Sequence, residues 1–212
     1  MSVNKFLKKL KSYQQANVFN PYVDKCDIYD RFNAPQIRSQ NLRKVLKMAT
    51  TLDLDSLWVG RDLGYRGGRR TGLALIDENH MLEASKRWGV LLQQATKGEM
   101  VPERTAKNIW QVLDQLEGNV FMWNVFPFHP YENLKPFSNR SHTAFERDAG
   151  LILLQELINL LAPKDIVAIG NDAFSALSKL HIRQTIHKVR HPSYGGEMDF
   201  YRQMREIYGF AG

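Results

Sequence analysis

Three loops place polar side chains directly after runs of apolar residues, where strands are expected to end. In the first loop, within Ser56–Glu78, an apolar run leads to Asp62 and then to a stretch rich in glycine and arginine. Glycines let backbone amides approach a ligand closely, and arginines pair with phosphate groups. A tight turn followed by a solvated basic loop gives the same pattern, with Asp62 as a helix cap. The loop is therefore a candidate for holding a phosphate-containing ligand.

The second loop follows the apolar run that begins at Val120 and presents Asn124 among aromatic residues. A buried side-chain amide needs hydrogen-bond partners, because leaving it unpaired costs about 1–3 kcal/mol. A ligand could supply them, and so could the neighbouring backbone. His129, a few residues later, is predicted to be a loop or packing histidine rather than a ligand. Asn124 is therefore the candidate for recognition in this loop.

The third loop, within His187–Gly196, carries His191 at the start of a Pro-Ser turn that Tyr194 and two glycines follow. His187 and His191 would suggest a metal site, but the sequence offers no evident third ligand. The single cysteine, Cys26, leaves no disulfide and no cysteine-held metal cluster within one chain. We therefore expect chemistry without a metal or another cofactor.

Short runs of branched and aromatic residues precede the polar loops and predict buried strands. The runs are Leu57–Val59, Val120–Trp123, Ile166–Ile169 and Ile186–Val189. An amphipathic helix is predicted to begin at Pro35, and a largely apolar helix over Ala144–Leu161 starts with a capping box of Thr143 and Glu146. This alternation predicts an α/β fold with a parallel sheet, whose ligands bind beyond the carboxyl ends of the strands.

Composition narrows the class of protein. The 212 residues include 29 lysines and arginines against 22 acids, for a net charge of +7, which favours a polyanionic partner such as nucleic acid. The longest apolar stretch is too short for a membrane span, and the lysine-rich start lacks the apolar core of a secretory signal. We expect one monomeric domain in the cytoplasm, associated with the nucleoid. Neither a Gly-x-x-x-x-Gly-Lys loop nor a dinucleotide fingerprint is present, which argues against a nucleotide-binding enzyme.

In chain order, the strand-end Gly-x-Asp at residues 60–62, the strand-end Asn124 and the His-Pro-Ser at residues 191–193 resemble the motifs of uracil-DNA glycosylases. The stretches GYRGGRRTG, WNVFPFHP, KPFSNRSHT and VRHPSYGG are similar to a bacterial branch of that superfamily without an iron-sulfur cluster, across roughly residues 19–197. The resemblance implies a three-layer α/β/α sandwich around a mostly parallel four-stranded sheet. It implies a single domain over residues 1–212, with a helical extension over residues 1–18, that flips a base out of DNA and hydrolyses its bond to the sugar.

The resemblance also implies a role for each motif residue. Asp62 would support the cationic sugar and position water, Asn124 would read the base edge, and His191 would donate to the base oxygen as the bond breaks. Arg190 should help to keep His191 neutral. The other implied contacts are with the base for Gly60, Leu63, Gly64, Tyr65 and Leu75, and with DNA for Arg66, Arg69, Arg70, Ser193 and Tyr194, the last as the wedge that fills the vacated stack.

Several positions depart from the family pattern. Gly64 stands where the best-known uracil enzymes carry a tyrosine that rejects thymine, and Leu75 stands where most members stack a phenylalanine on the base. Leu63 replaces the usual proline of the first motif, and Arg61 stands where relatives in the branch often carry glutamate. Because glycine supplies no blocking side chain, we predict a pocket that tolerates a substituent at C5 of the pyrimidine.

Three hypotheses follow for the function. The leading one is a monofunctional glycosylase of base-excision repair that releases a uracil-type or modified pyrimidine and leaves an abasic site. An alternative is a glycosylase directed at modified bases of phage DNA, as a defence. A further alternative is a catalytically silent DNA-binding homologue, which the altered first motif would favour.

Overall fold

The computed structural model describes residues 1–193 and 195–210, and their core is a parallel sheet between helices. The helices are Val3–Ser12 (α1), Ala34–Ala49 (α2), Gly68–Thr71 (α3), Met81–Trp88 (α4), Arg104–Leu113 (α5), Ala144–Leu161 (α6), Asn171–Leu177 (α7) and Glu197–Tyr208 (α8). The strands are Val18–Phe19 (β1), Ser56–Asp62 (β2), Val120–Phe126 (β3), His129–Pro130 (β4), Asp165–Ile169 (β5) and Thr185–Val189 (β6). No helix among the described residues is long and apolar enough to cross a bilayer.

The main sheet has four parallel strands in the order β3-β2-β5-β6, and each coincides with a strand predicted from an apolar run. Its register pairs Gly60 of β2 with Asn124 of β3, and Asp62 with Phe126. The first two polar motifs therefore lie side by side at the carboxyl edge of the sheet. The short strands β1 and β4 pair separately, in antiparallel fashion.

Aromatic side chains on β2 and β3 fix helices to both faces of the sheet. Trp58 packs against Tyr208 of α8, with ring centroids 5.9 Å apart, and its indole N–H donates to the tyrosine hydroxyl (2.6 Å). Trp58 is level with Met122, so the neighbouring Phe121 points to the opposite face, where it meets Trp88 of α4 edge-on. The result is the three-layer α/β/α sandwich that the sequence predicts, with a main sheet that is parallel throughout.

Helix α6 has its predicted bounds because local signals define its start. The Thr143 hydroxyl accepts from the backbone N–H of Glu146, and the Glu146 carboxylate accepts from the backbone N–H of Thr143, which completes the predicted capping box. Inside the helix, Gly150 lies so close to β3 that a Cβ there would overlap the carbonyl oxygen of Val125. Helix α6 thus packs directly on the strand end that carries Asn124.

Helix α1 lies within residues 1–18 and contributes to the main core. Its apolar side chains Phe6, Leu7 and Leu10 are all buried. The Phe6 ring lies 5.7 Å from that of Trp123, on the face of the sheet that α4 also covers. Burial of such side chains stabilises a fold by about 1.5–3 kcal/mol each. Helix α1 therefore stabilises β3 on the face of the sheet that α4 also covers.

Candidate active site

A cleft of about 370 Å³ opens at the carboxyl edge of the main sheet, where parallel α/β sheets bind their ligands. Of the residues that the sequence predicts for the site, the cleft is lined by Gly60, Asp62, Leu63, Gly64, Leu75, Asn124, His191 and Ser193. The structure therefore brings the carboxylate, the amide and the imidazole of the three motifs to one cleft, although they come from distant parts of the chain.

Asn124 lies at the end of β3 with its side chain over Gly60. A Cβ on Gly60 would lie 2.5 Å from Asn124 Oδ1, so only glycine leaves room for the amide in this position. Oδ1 is buried and has no hydrogen-bond partner among the described residues. Neighbouring backbone therefore does not satisfy this oxygen, and the Asn124 side chain lines the cleft with its buried acceptor unpaired against Gly60.

Asp62 is the last residue of β2, and its side chain is only 7% exposed. His142 donates through Nδ1 to Asp62 Oδ1, and Arg61 donates through Nε to Oδ2 at 2.8 Å. The Arg61 guanidinium also binds the Asp172 carboxylate (3.1 Å). Asp62 is thus a carboxylate that two side chains fix at the edge of the cleft. It does not cap a helix, which was the alternative interpretation of the sequence.

His191 reaches the cleft from the turn that follows β6. The backbone N–H of Ser193 donates to its Nδ1 (3.2 Å), so the ring proton of the neutral imidazole is on Nε2. Burial, with the positive charges of Arg61 and Arg190, lowers the pKa of His191 to about 4. The ring is therefore neutral near pH 7 and can donate a hydrogen bond from Nε2. Arg190 acts as the sequence predicts, but burial is the larger cause.

Apolar residues of the first loop complete one side of the cleft. Leu75 is buried in a left-handed backbone conformation (φ 58°), and its Cδ2 would lie 3.3 Å from a Cβ on Gly60. Leu63 is buried against Gly68, where a Cβ would overlap its Cδ2. Leu75 therefore packs beside the Asn124 amide, and both side chains lie against Gly60.

Arg69 and Arg70 are buried, which contradicts the prediction that they grip phosphates. The Arg69 guanidinium lies 3.9 Å from the centre of the Phe19 ring and donates to the hydroxyl of Tyr29 (2.7 Å). Arg70 donates to the buried carboxylate of Glu78 (2.8 Å). Both side chains have their partners inside the protein, so they hold the first loop in place rather than reach DNA.

Of the remaining residues predicted to contact the base or DNA, the structure describes Tyr65, Arg66 and Ser193. Tyr65 does not line the cleft, and its backbone N–H donates to Asn139 Oδ1 (3.0 Å). Arg66 is exposed and donates to the Tyr65 hydroxyl (2.8 Å). The Ser193 hydroxyl lies 3.1 Å from that of Thr105 at the start of α5. Tyr194, the predicted wedge, lies outside the described residues.

His129 has the structural role that the sequence predicts. It is fully buried, its Nδ1 accepts from Arg69 (3.0 Å), and its Nε2 donates to the carbonyl oxygen of Ser138 (2.8 Å). Burial and the charge of Arg69 lower its pKa to about 3. The described residues hold no group of three or more His, Cys, Asp or Glu side chains arranged for a metal ion.

Two residues of the site escape the motif analysis. His142, the partner of Asp62, lies in the KPFSNRSHT stretch that carries part of the resemblance, but nothing local marks it as a site residue. Glu103 precedes α5, and its carboxyl oxygens lie where side chains on Gly64 and Gly67 would be. Burial and the nearby Asp77 carboxylate raise the pKa of Glu103 to about 7. The space that the sequence leaves open at Gly64 is therefore filled by Glu103.

The fold and its cleft define an α/β protein with a ligand site at the carboxyl edge of a parallel sheet, and comparison with known proteins identifies the family. The family model for the Uracil DNA glycosylase superfamily matches residues 35–207, and the chain belongs to this superfamily.

One solved structure supports this fold, and a second is less similar. SMUG2 from Pedobacter heparinus has a TM-score of 0.62 at 11% identity, over 98% of this chain and 95% of that one. UNG from Nitratifractor salsuginis has a TM-score of 0.46 at 11% identity, over 98% of this chain and 94% of that one. No curated protein sequence matches the chain significantly.

Proposed function

We propose that this protein is a monofunctional DNA glycosylase that flips a pyrimidine into the cleft and hydrolyses its N-glycosidic bond. The observation that carries the proposal is the buried, unpaired Asn124 Oδ1 in the same cleft as a neutral His191. A buried acceptor without a partner costs about 1–3 kcal/mol, so the amide is arranged for a ligand that supplies a donor.

The Asn124 amide reads the edge of the base. Its oxygen accepts from the N3–H of a uracil-type base, and its nitrogen donates to the O4 oxygen. Cytosine presents an acceptor at N3 and a donor at C4, so it mismatches both groups of an amide held in this orientation. In the folded protein the amide oxygen lies against Gly60, beside the Leu75 side chain.

His191 stabilises the departing base. As the glycosidic bond breaks, its electron pair moves to the base, and negative charge gathers on the O2 oxygen. The Nε2–H of the neutral imidazole donates to that oxygen, while Ser193 holds the ring through Nδ1. A donor held ready for a developing anion is worth about a hundredfold to a thousandfold in rate.

Asp62 acts on the sugar side. Its carboxylate stabilises the positive charge that develops at C1′ and accepts a proton from the water that bonds to C1′. The base leaves as an anion and takes a proton from solvent, so the products are free base and an abasic site. His142 and Arg61 position the carboxylate. No lysine lines the cleft among the described residues, which supports hydrolysis without a lysine nucleophile.

DNA is the partner that the net charge of +7 favours, and we propose that the protein acts on it as a monomer in base-excision repair. Flipping a base costs a few kcal/mol, and Tyr194 would fill the vacated stack. Exposed Arg66 and the Ser193 turn would contact phosphates. Binding of duplex DNA should weaken with salt, with a log-log slope near −0.9 per phosphate contacted.

An oligonucleotide panel tests the function. Duplexes and single strands with one uracil, 5-substituted pyrimidine or hypoxanthine are incubated with the protein, and free base and alkali-sensitive sites are measured. We expect both products from at least one pyrimidine, and a loss of about a hundredfold or more in Asn124→Ala and His191→Ala. Asn159→Ala and His181→Ala remove the same side chains from exposed positions and serve as controls. Release of no base from any member of the panel refutes the proposal.

A further inference from the structure

The positive charge of the chain is concentrated on helices α1 and α2. These two helices carry eight of the 29 lysines and arginines and none of the 22 acids. The remainder of the chain therefore has 21 basic side chains against 22 acids, and it is nearly neutral. A soluble surface usually intersperses the two signs of charge. Two helices without any acid therefore mark a separate surface for a polyanion.

Helices α1 and α2 lie in one layer of the sandwich. Helix α1 packs on the face of the sheet that α4 also covers, and α2 packs against both α1 and α4. Their buried sides face the sheet, so their exposed sides point to the same side of the molecule. On α2, the exposed residues Gln36, Gln40, Arg43 and Lys47 recur at helical spacing and form one continuous stripe.

Most of the basic side chains on these helices have no acidic partner. Two are paired: Lys9 with Glu156 of α6, and the buried Arg38 with Asp30. The other six form no ion pair among the described residues, and we call them the α1–α2 basic face: Lys5, Lys8, Lys11, Arg43, Lys44 and Lys47. The chain itself therefore does not neutralise this face.

The α1–α2 basic face is separate from the cleft. Both helices are described in full, and none of their residues lines the cleft, which opens at the carboxyl edge of the sheet. With 10 and 16 residues, the helices are about 15 and 24 Å long. Duplex DNA has one phosphate charge per about 1.7 Å of its axis, so a face of this length can meet several phosphates. A duplex whose flipped base occupies the cleft lies across the sheet edge, so the phosphates at this face belong to another segment.

We propose that the α1–α2 basic face binds a second DNA segment while the cleft holds the first, so that the protein passes between segments without entering free solution. The inference rests on the proposed function for DNA as the ligand of the cleft. Lysine and arginine bind phosphates without regard to sequence, which suits a search for rare bases. An anionic membrane is a weaker candidate, because the apolar residues Phe6, Leu7 and Leu10 of α1 are buried in the core and do not reach a bilayer.

Transfer between lesion-free duplexes tests the inference. The protein is bound to a fluorescent duplex and mixed with excess unlabelled duplex in a stopped-flow instrument, and the fall in anisotropy gives the dissociation rate. If a second segment binds before the first leaves, the rate rises with the concentration of unlabelled duplex, because transfer is then bimolecular. We expect this dependence in the wild type.

A triple variant removes charge from the α1–α2 basic face, and a matched variant removes the same charge elsewhere. The first combines Lys5→Gln, Lys8→Gln and Arg43→Gln, all at exposed positions. Glutamine has a helix propensity close to that of lysine and arginine, so the fold should be kept, as circular dichroism can verify. The control changes three exposed residues at or near β6, at the opposite edge of the sheet from β3, to glutamine: Lys179, Arg183 and Lys188.

The first variant should lose the dependence on unlabelled duplex, and the control should keep it. Single-turnover excision with saturating protein, from the preferred substrate of the oligonucleotide panel, should be equal in all three proteins. If the panel yields no free base, the glycosylase proposal fails, whereas transfer between lesion-free duplexes still decides this inference.

Four results would overturn the second DNA surface. The first is a wild-type dissociation rate that does not change with unlabelled duplex. The second is a concentration dependence that the folded triple variant keeps, or that the control loses equally, since net charge alone would then matter. The third is slower excision in the triple variant only, which would place the α1–α2 basic face on the substrate duplex. The fourth is binding of the wild type to phosphatidylserine vesicles but not to lesion-free duplex, which would assign the face to a membrane.

Discussion

Replacing Glu103 with glutamine should stabilise the protein by an amount that grows as the pH rises from about 4.5 to about 7. The folded protein raises the pKa of this carboxyl from 4.5 to about 7. Between these values the folded state keeps a proton that the unfolded state has released, so the wild type loses stability as pH rises through this window. Glutamine cannot ionise. The variant is therefore more stable to unfolding than the wild type above pH 7, and this difference is absent below pH 4.5.

The size of the gain follows from the same two values. The interval from 4.5 to about 7, at about 1.4 kcal/mol per pH unit, limits the gain to about 3 kcal/mol. The side chain is partly open to cleft water, which screens its charge, so we expect about 1–2 kcal/mol at pH 8. A glutamine of the same shape keeps the packing over Gly64 and Gly67, so other contributions should be small.

Urea unfolding of the two proteins at pH 5 and pH 8 measures this difference. His129 and His191, whose pKa values are also displaced, titrate in both proteins and cancel in the comparison. Glu99→Gln, at an exposed position, should show no pH-dependent difference from the wild type. If Glu103→Gln differs from the wild type by the same amount at both pH values, or is the less stable protein at pH 8, the described environment of this carboxyl is wrong.

Three further substitutions test the positioning of the site. Gly60→Ala puts a Cβ 2.5 Å from Asn124 Oδ1 and should lower base excision at least tenfold, in a protein that circular dichroism shows to be folded. His142→Ala removes the partner of Asp62 and should lower the single-turnover rate by about tenfold, while DNA affinity measured by fluorescence anisotropy stays the same; an equal loss of affinity would contradict this role. Arg69→Ala should lower the free energy of unfolding by about 2–3 kcal/mol, because buried hydrogen bonds and an aromatic contact are lost, and should leave the salt dependence of DNA binding unchanged.

The sheet and helix α6 were predictable because their signals are local. Each strand is a short apolar run that ends in a polar loop, and α6 begins at a capping box of two residues three apart. The convergence of Asp62, Asn124 and His191 on one cleft was also predictable, because the carboxyl ends of parallel strands share one edge of a sheet.

The remainder of the site depends on contacts between distant parts of the chain. Arg69 and Arg70 have the sequence context of a phosphate-binding loop, yet Phe19 and Glu78 surround them inside the protein. The absence of a side chain at Gly64 predicts an open pocket, but a carboxyl far along the chain fills it. Such partners are fixed by tertiary packing, and no local pattern in one sequence reveals them.

The unpaired acceptor on Asn124 destabilises the ligand-free protein, and a nucleobase that donates a hydrogen bond to it removes this cost. A free base that donates to this oxygen should raise the melting temperature, since any ligand that binds only the folded state stabilises it in proportion to the logarithm of its concentration over Kd. Thermal melting with a set of soluble nucleobases could thus rank what the cleft accepts before any DNA substrate is synthesised. Asn124, which would recognise the base in DNA, would thus also make the binding of a free base measurable as a rise in melting temperature.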